Sequence, residues 1–174
     1  MVERREIILI SVPYTGTNFT AKLFTDRGYS RIGMNEPADG DCIRVAHCIK
    51  NTQIDPALKH VGAGCHLVLP CRHPFRCEES YRRRGDDVSV MIEAFDTLIE
   101  QFSPLTPYLM CVDSESRYDQ LEKLKELDPR IKTDWEVVAS KSGTADMTEF
   151  SPSDAVRDLV SRHSLFFGQF YELV

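Results

Sequence analysis

Short, nearly unbroken apolar runs alternate along this chain with longer stretches in which apolar residues recur every three or four positions. Glu6-Ile-Ile-Leu-Ile-Ser-Val12 is a run of β-formers, the pattern of a strand covered on both faces in a parallel sheet. Cys42 to Cys48, Cys65 to Cys71 and Tyr108 to Val112 repeat that pattern, and Trp135 to Ala139 gives a short fifth strand. Helices are expected between them. Phe19 to Arg27 is one, stopped by Gly28, and Ile54 to Val61 is another. A third leaves Arg72 through His73-Pro74 and runs to Arg84, with the proline in its first turn. Val88, Met91, Ile92, Phe95, Leu98 and Ile99 set a helical period over Asp86 to Gln101. Arg117 to Leu127 and Ser151 to Phe170 complete the set. The alternation predicts an α/β fold, three layers (α/β/α) around a central, mostly parallel sheet with right-handed crossovers. One domain spanning 1–174 is expected, with Glu36 to Asp41 and Lys141 to Met147 as loops.

Composition narrows the function. The 174 residues are 42% hydrophobic and 28% charged with net charge -6, which argues against broad electrostatic binding to nucleic acid or an anionic membrane. No apolar stretch approaches a membrane span or a secretory h-region, so a cytoplasmic protein is expected. The six cysteines include no C-x-x-C pair and lie in apolar runs, pointing to a reducing interior and no metal site. Arg82-Arg83-Arg84 is a local basic run. It reads either as a contact for an anionic acceptor or as a solvated helix end.

The chemistry concentrates after the first strand. Pro13-Tyr-Thr-Gly-Thr-Asn18 is a glycine loop between a strand and a helix, a setting in which backbone N–H groups converge on an anion and the helix dipole favours it. Thr15, Thr17 and Asn18 could add side-chain donors. The G-x-x-x-x-G-K-[ST] pattern is absent, which disfavours an ATP or GTP hydrolase.

Ser11-Val-Pro-Tyr-Thr-Gly-Thr-Asn-Phe19 resembles the first loop of the sulfotransferases that use 3′-phosphoadenosine 5′-phosphosulfate (PAPS), written Pro-[Arg/Lys]-[Ser/Thr]-Gly-[Thr/Ser]-[Thr/Ser] and then a large apolar residue. Two further elements follow in the family's order. Arg72, His73-Pro74 and Ser80 resemble its strand, arginine, proline and serine, with the serine eight residues after the arginine. His47, 25 residues before Arg72, stands where many members carry a histidine.

The resemblance implies a P-loop sulfotransferase topology and a PAPS or PAP cofactor, with no metal. Pro13, Tyr14, Thr15, Gly16, Thr17, Asn18 and Phe19 would hold the 5′-phosphosulfate. Arg72 and Ser80 would hold the 3′-phosphate, and Lys141, Ser142 and Gly143 would complete that end. His47 would be the general base toward a hydroxyl or amine on a small-molecule or carbohydrate acceptor. Tyr14 occupies the place of the family's basic residue and Asn18 that of a hydroxyl residue, so the loop lacks its usual positive charge; Lys22, one turn into the helix, is a candidate replacement. Three readings stand: a sulfotransferase, a nucleotide-binding protein of the same fold without turnover, and another P-loop phosphoryl-transfer enzyme. Phe166, Phe167, Phe170 and Tyr171 are assigned to the core or an oligomer contact, which leaves a homodimer open.

Overall fold

A computed structural model describes residues 4–49, 51–131 and 150–172. Among these residues, five parallel strands form one sheet in the order β2-β3-β1-β4-β5, with β1 Glu6–Ser11, β2 Ser30–Ile32, β3 Cys42–His47, β4 His66–Cys71 and β5 Tyr108–Cys111. The apolar run of β1 takes the middle of the sheet because it can be buried on both faces: Ile7, Ile8 and Leu9 are fully buried.

Alternation along the strands divides the core in two. Ile7 and Leu9 of β1, Ile43 of β3 and Val68 of β4 pack with α1 (Thr17–Thr25) and α5 (Arg117–Leu127) through Phe24, Leu121 and Leu124. Ile8 and Ile10 of β1 and Leu67 and Leu69 of β4 face α2 (Asn51–Gly62), α3 (Pro74–Arg84) and α4 (Val88–Thr97), together with α6 (Asp154–Arg162) and α7 (Ser164–Phe167). Helices thus cover both faces, the three-layer arrangement that the alternation of elements predicts. Phe166 and Phe167 are buried in the second of these cores, and Phe170 and Tyr171 pack against it. No helix among the described residues is long and apolar enough to cross a membrane.

The structure departs from the sequence pattern in three places. Ser30–Ile32 forms an edge strand that its sequence Ser-Arg-Ile does not announce, because pairing with β3 rather than apolar content holds it. The helix expected to Gln101 ends at Thr97 and loosens into a π-helical turn, Leu98–Phe102, then tightens into Ser103–Leu105 where Pro104 withholds a backbone donor. The last helix is broken at His163, whose backbone (φ -111, ψ 29) leaves the helical region between α6 and α7. The expected strand Trp135 to Ala139 and the loop Lys141 to Met147 lie outside the described residues.

Candidate functional site

The chain leaves β1 toward β2 on one side of the sheet, whereas it leaves β4 toward β5 on the other. Adjacent parallel strands whose connections diverge open a crevice at their carboxyl ends, where ligands bind in open α/β sheets. A cavity of about 480 Å³ lies here, lined by Pro13, Tyr14, Gly16, Thr17, Asn18, Phe19, His47, Arg72, Ser80 and Arg84.

The loop is held in its shape from within. Gly16 has φ 87, and a Cβ added there would stand 2.8 Å from Val112 Cγ1, so the turn needs glycine on both counts. Thr15 is fully buried and its hydroxyl donates to the Val12 carbonyl at 2.6 Å. Its side chain therefore builds the turn and does not line the cavity. Gly16 is the N-cap of α1 and no side chain caps the helix, which leaves first-turn N–H groups at the cavity without intrahelical partners.

The parallel register places Ser11 of β1 beside His47 of β3. Ser11 Oγ lies 3.0 Å from His47 Nδ1 and 2.7 Å from Thr17 Oγ1, so one buried hydroxyl joins the histidine to the helix start. The His47 backbone N–H donates to Gln53 Oε1 at 3.1 Å, which fixes the strand end.

Arg72 follows β4 directly and its Nη1 donates to Ser80 Oγ at 3.4 Å, a pairing made possible because Ser80 stands on α3 above the strand end. Ser80 in turn donates to the Arg76 carbonyl at 3.1 Å. The turn carrying Arg72 is braced by Asp113, whose side chain is 2% exposed and accepts from His73 N–H at 3.0 Å and from the Tyr171 hydroxyl at 2.7 Å. Burial holds the His73 imidazole below its usual pKa range and pushes the Tyr171 phenol up. Asp113 is thus a structural brace behind the cavity.

Two residues change roles relative to the sequence reading. Lys22, the candidate replacement for a loop cation, pairs with Asp26 at 2.7 Å and does not line the cavity. Arg84 does line it, with its guanidinium 4.5 Å from the centre of the Tyr14 ring. Periodicity could have flagged it: Ser80 and Arg84 are four apart and share a helix face. Lys141, Ser142 and Gly143 lie outside the described residues.

Among the described residues, two groups have ligand atoms within 4.8 Å of one another, Glu6-His60-Cys65 and Asp96-Glu100-His163. Neither reads as a metal centre. Glu6 is engaged by Arg4 and Arg44, His60 Nε2 bonds the Met34 carbonyl at 2.7 Å, and Asp96 is held by Arg162 and His163 at 2.8 and 2.7 Å. No family model matches the chain, and no curated protein or solved structure shows significant similarity to it.

Proposed function

We propose that the cavity binds a nucleotide with anionic groups at two separate positions, and that the protein is a PAPS-dependent sulfotransferase of P-loop topology. The observation that carries this reading is the charge of the lining. In a protein of net charge -6, the cavity holds two guanidiniums, Arg72 and Arg84, and no carboxylate. Neither arginine forms an ion pair among the described residues, which leaves their charge for a ligand.

On this reading the loop from Pro13 to Phe19 takes the 5′-phosphosulfate, while Arg72 and Ser80 take the 3′-phosphate. His47, oriented by Ser11, accepts the proton of an acceptor hydroxyl or amine as the acceptor atom bonds to sulfur. The bond from sulfur to the bridging phosphate oxygen breaks and PAP leaves with the electron pair. A hydrogen-bonded serine also suits a general base sterically, since it fixes the ring plane without neutralising it.

Calorimetric titration with PAP tests the nucleotide assignment. Micromolar binding in the wild type that is lost in Arg72→Ala supports it, and no heat at millimolar PAP would overturn it. Acceptor screening with PAPS and a His47→Ala control then separates transfer from binding alone. The absence of a loop cation at Tyr14 favours the second reading, a nucleotide-binding protein without turnover, which predicts PAP binding with no acceptor sulfated under any condition. A magnesium-dependent ATP turnover would instead favour a phosphoryl-transfer enzyme.

A further inference from the structure

We infer that Arg84 is the side chain that grips the anion bound at the β1–α1 loop, delivered from the end of α3 and held in place over Tyr14. This inference rests on the nucleotide reading of the cavity and names the cation that the loop itself lacks.

The three consecutive arginines that end α3 have different fates. Arg82 pairs with the buried carboxylate of Glu78 at 2.7 Å, and Arg83 pairs with Glu79. Arg84 has no carboxylate partner among the described residues and lines the cavity with Gly16, Thr17 and Asn18. Gly85, with φ 76, terminates the helix immediately afterwards, so Arg84 sits in the last turn with its side chain against the loop.

Tyr14 is built to receive it. Its backbone is in the left-handed region at φ 67, its hydroxyl donates to Asp86 at 2.6 Å, and Tyr81 packs against it edge-on at 5.1 Å between centroids. Tyr81 is 3% exposed and cannot yield. The aromatic face thus has one fixed orientation, and the guanidinium lies 4.5 Å from its centre. The Asp86 carboxylate is bonded to the phenol and forms no ion pair with Arg84. A planar guanidinium offers two parallel donors to a tetrahedral oxyanion, which a loop lysine does not.

The test is calorimetric titration of the full chain with PAP, 5′-AMP, 3′-AMP and inorganic pyrophosphate. Arg84→Ala is expected to weaken PAP and 5′-AMP by about tenfold or more and to leave 3′-AMP unchanged; Arg72→Ala should weaken PAP and 3′-AMP and leave 5′-AMP unchanged. Arg83→Ala, one position away and already paired, serves as the control and changes neither. Tyr14→Leu, which removes the platform but no charge, should weaken 5′-AMP by a smaller factor, and thermal melts report whether each variant folds. If PAP binds and Arg84→Ala behaves like Arg83→Ala, the role of Arg84 is overturned while the nucleotide site stands. If the wild type binds no nucleotide, that reading fails, and pyrophosphate decides this one: binding lost in Arg84→Ala retains Arg84 as an anion ligand, and no pyrophosphate binding overturns it.

Discussion

The two ends of the sheet use the same residue types to opposite effect. Around the amino ends of the strands, Arg5 N–H donates to Asp41 at 2.9 Å, Arg130 bridges Asp41 and Asp128 at 3.1 and 2.6 Å, and Arg5 approaches Asp128 at 3.8 Å. Every arginine in that network has a carboxylate. At the carboxyl ends, Arg72 and Arg84 have none among the described residues. One cavity at the amino end is slightly larger, about 520 Å³ against 480, but its walls carry Glu6 and Glu126 beside Arg4 and Arg5. On the proposed reading, charge left without an acid, and not volume, is what marks the carboxyl-end cavity for a ligand.

The comparison can be broken first at the loop. Gly16→Ala forces a Cβ against Val112 in a left-handed conformation and should cost about 2–3 kcal/mol, read as a lowered midpoint in denaturant titration, with nucleotide binding lost in the fraction that folds. An unchanged midpoint would show that the turn tolerates another shape.

At the opposite end, Asp128→Asn should cost about 2 kcal/mol at neutral pH. The side-chain hydrogen bonds from Arg130 hold the Asp128 carboxyl at about 2, below its ordinary 3.8. Because the folded value is the lower one, this contribution is complete above about pH 4 and is lost as pH falls toward 2. Stability measured from pH 5 to 2 should therefore fall less steeply in the variant, and equal slopes would refute the assignment.

Ser11→Ala should have a smaller effect, about 1 kcal/mol, since one buried hydroxyl joins His47 and Thr17. Its sharper readout is the His47 ring tautomer, read from the ring nitrogen NMR shifts, which should change when the Ser11 bond to Nδ1 is removed; unchanged ring shifts would remove Ser11 from the site. Lys22→Ala should be the mildest, within about 0.5 kcal/mol and without effect on PAP affinity, because its pair with Asp26 is exposed. A tenfold loss of PAP affinity there would restore Lys22 as the loop's cation and displace Arg84.

Much of this was legible in the chain because it is local. Continuous apolar runs specify four buried strands, and helical periods specify α3, α4 and α5 to within a few residues, since burial of one face repeats with the backbone's own geometry. The order loop, histidine, arginine, serine could also be read, and these residues do converge on one cavity. What was missed depends on partners far away in sequence. Ser30–Ile32 becomes a strand only because β3 offers its edge, and Arg84 meets the loop only because Tyr14 stands beside it.

The sequence by itself determined the α/β alternation and the places where glycine and proline must stop or turn the chain, because those depend on steric rules that act within a few residues. Helix spacing gives Arg82 and Arg83 an acid four residues back and gives Arg84 a serine; what Arg84 meets instead was decided by tertiary structure alone. Arg82, Arg83 and Arg84 are chemically identical and adjacent, yet two face carboxylates one turn back on their own helix while the third faces Tyr14, 70 positions away in the chain. An ion pair is set by where the partner stands in space, and for Arg84 the strand order of the sheet brings the Tyr14 ring to that spot.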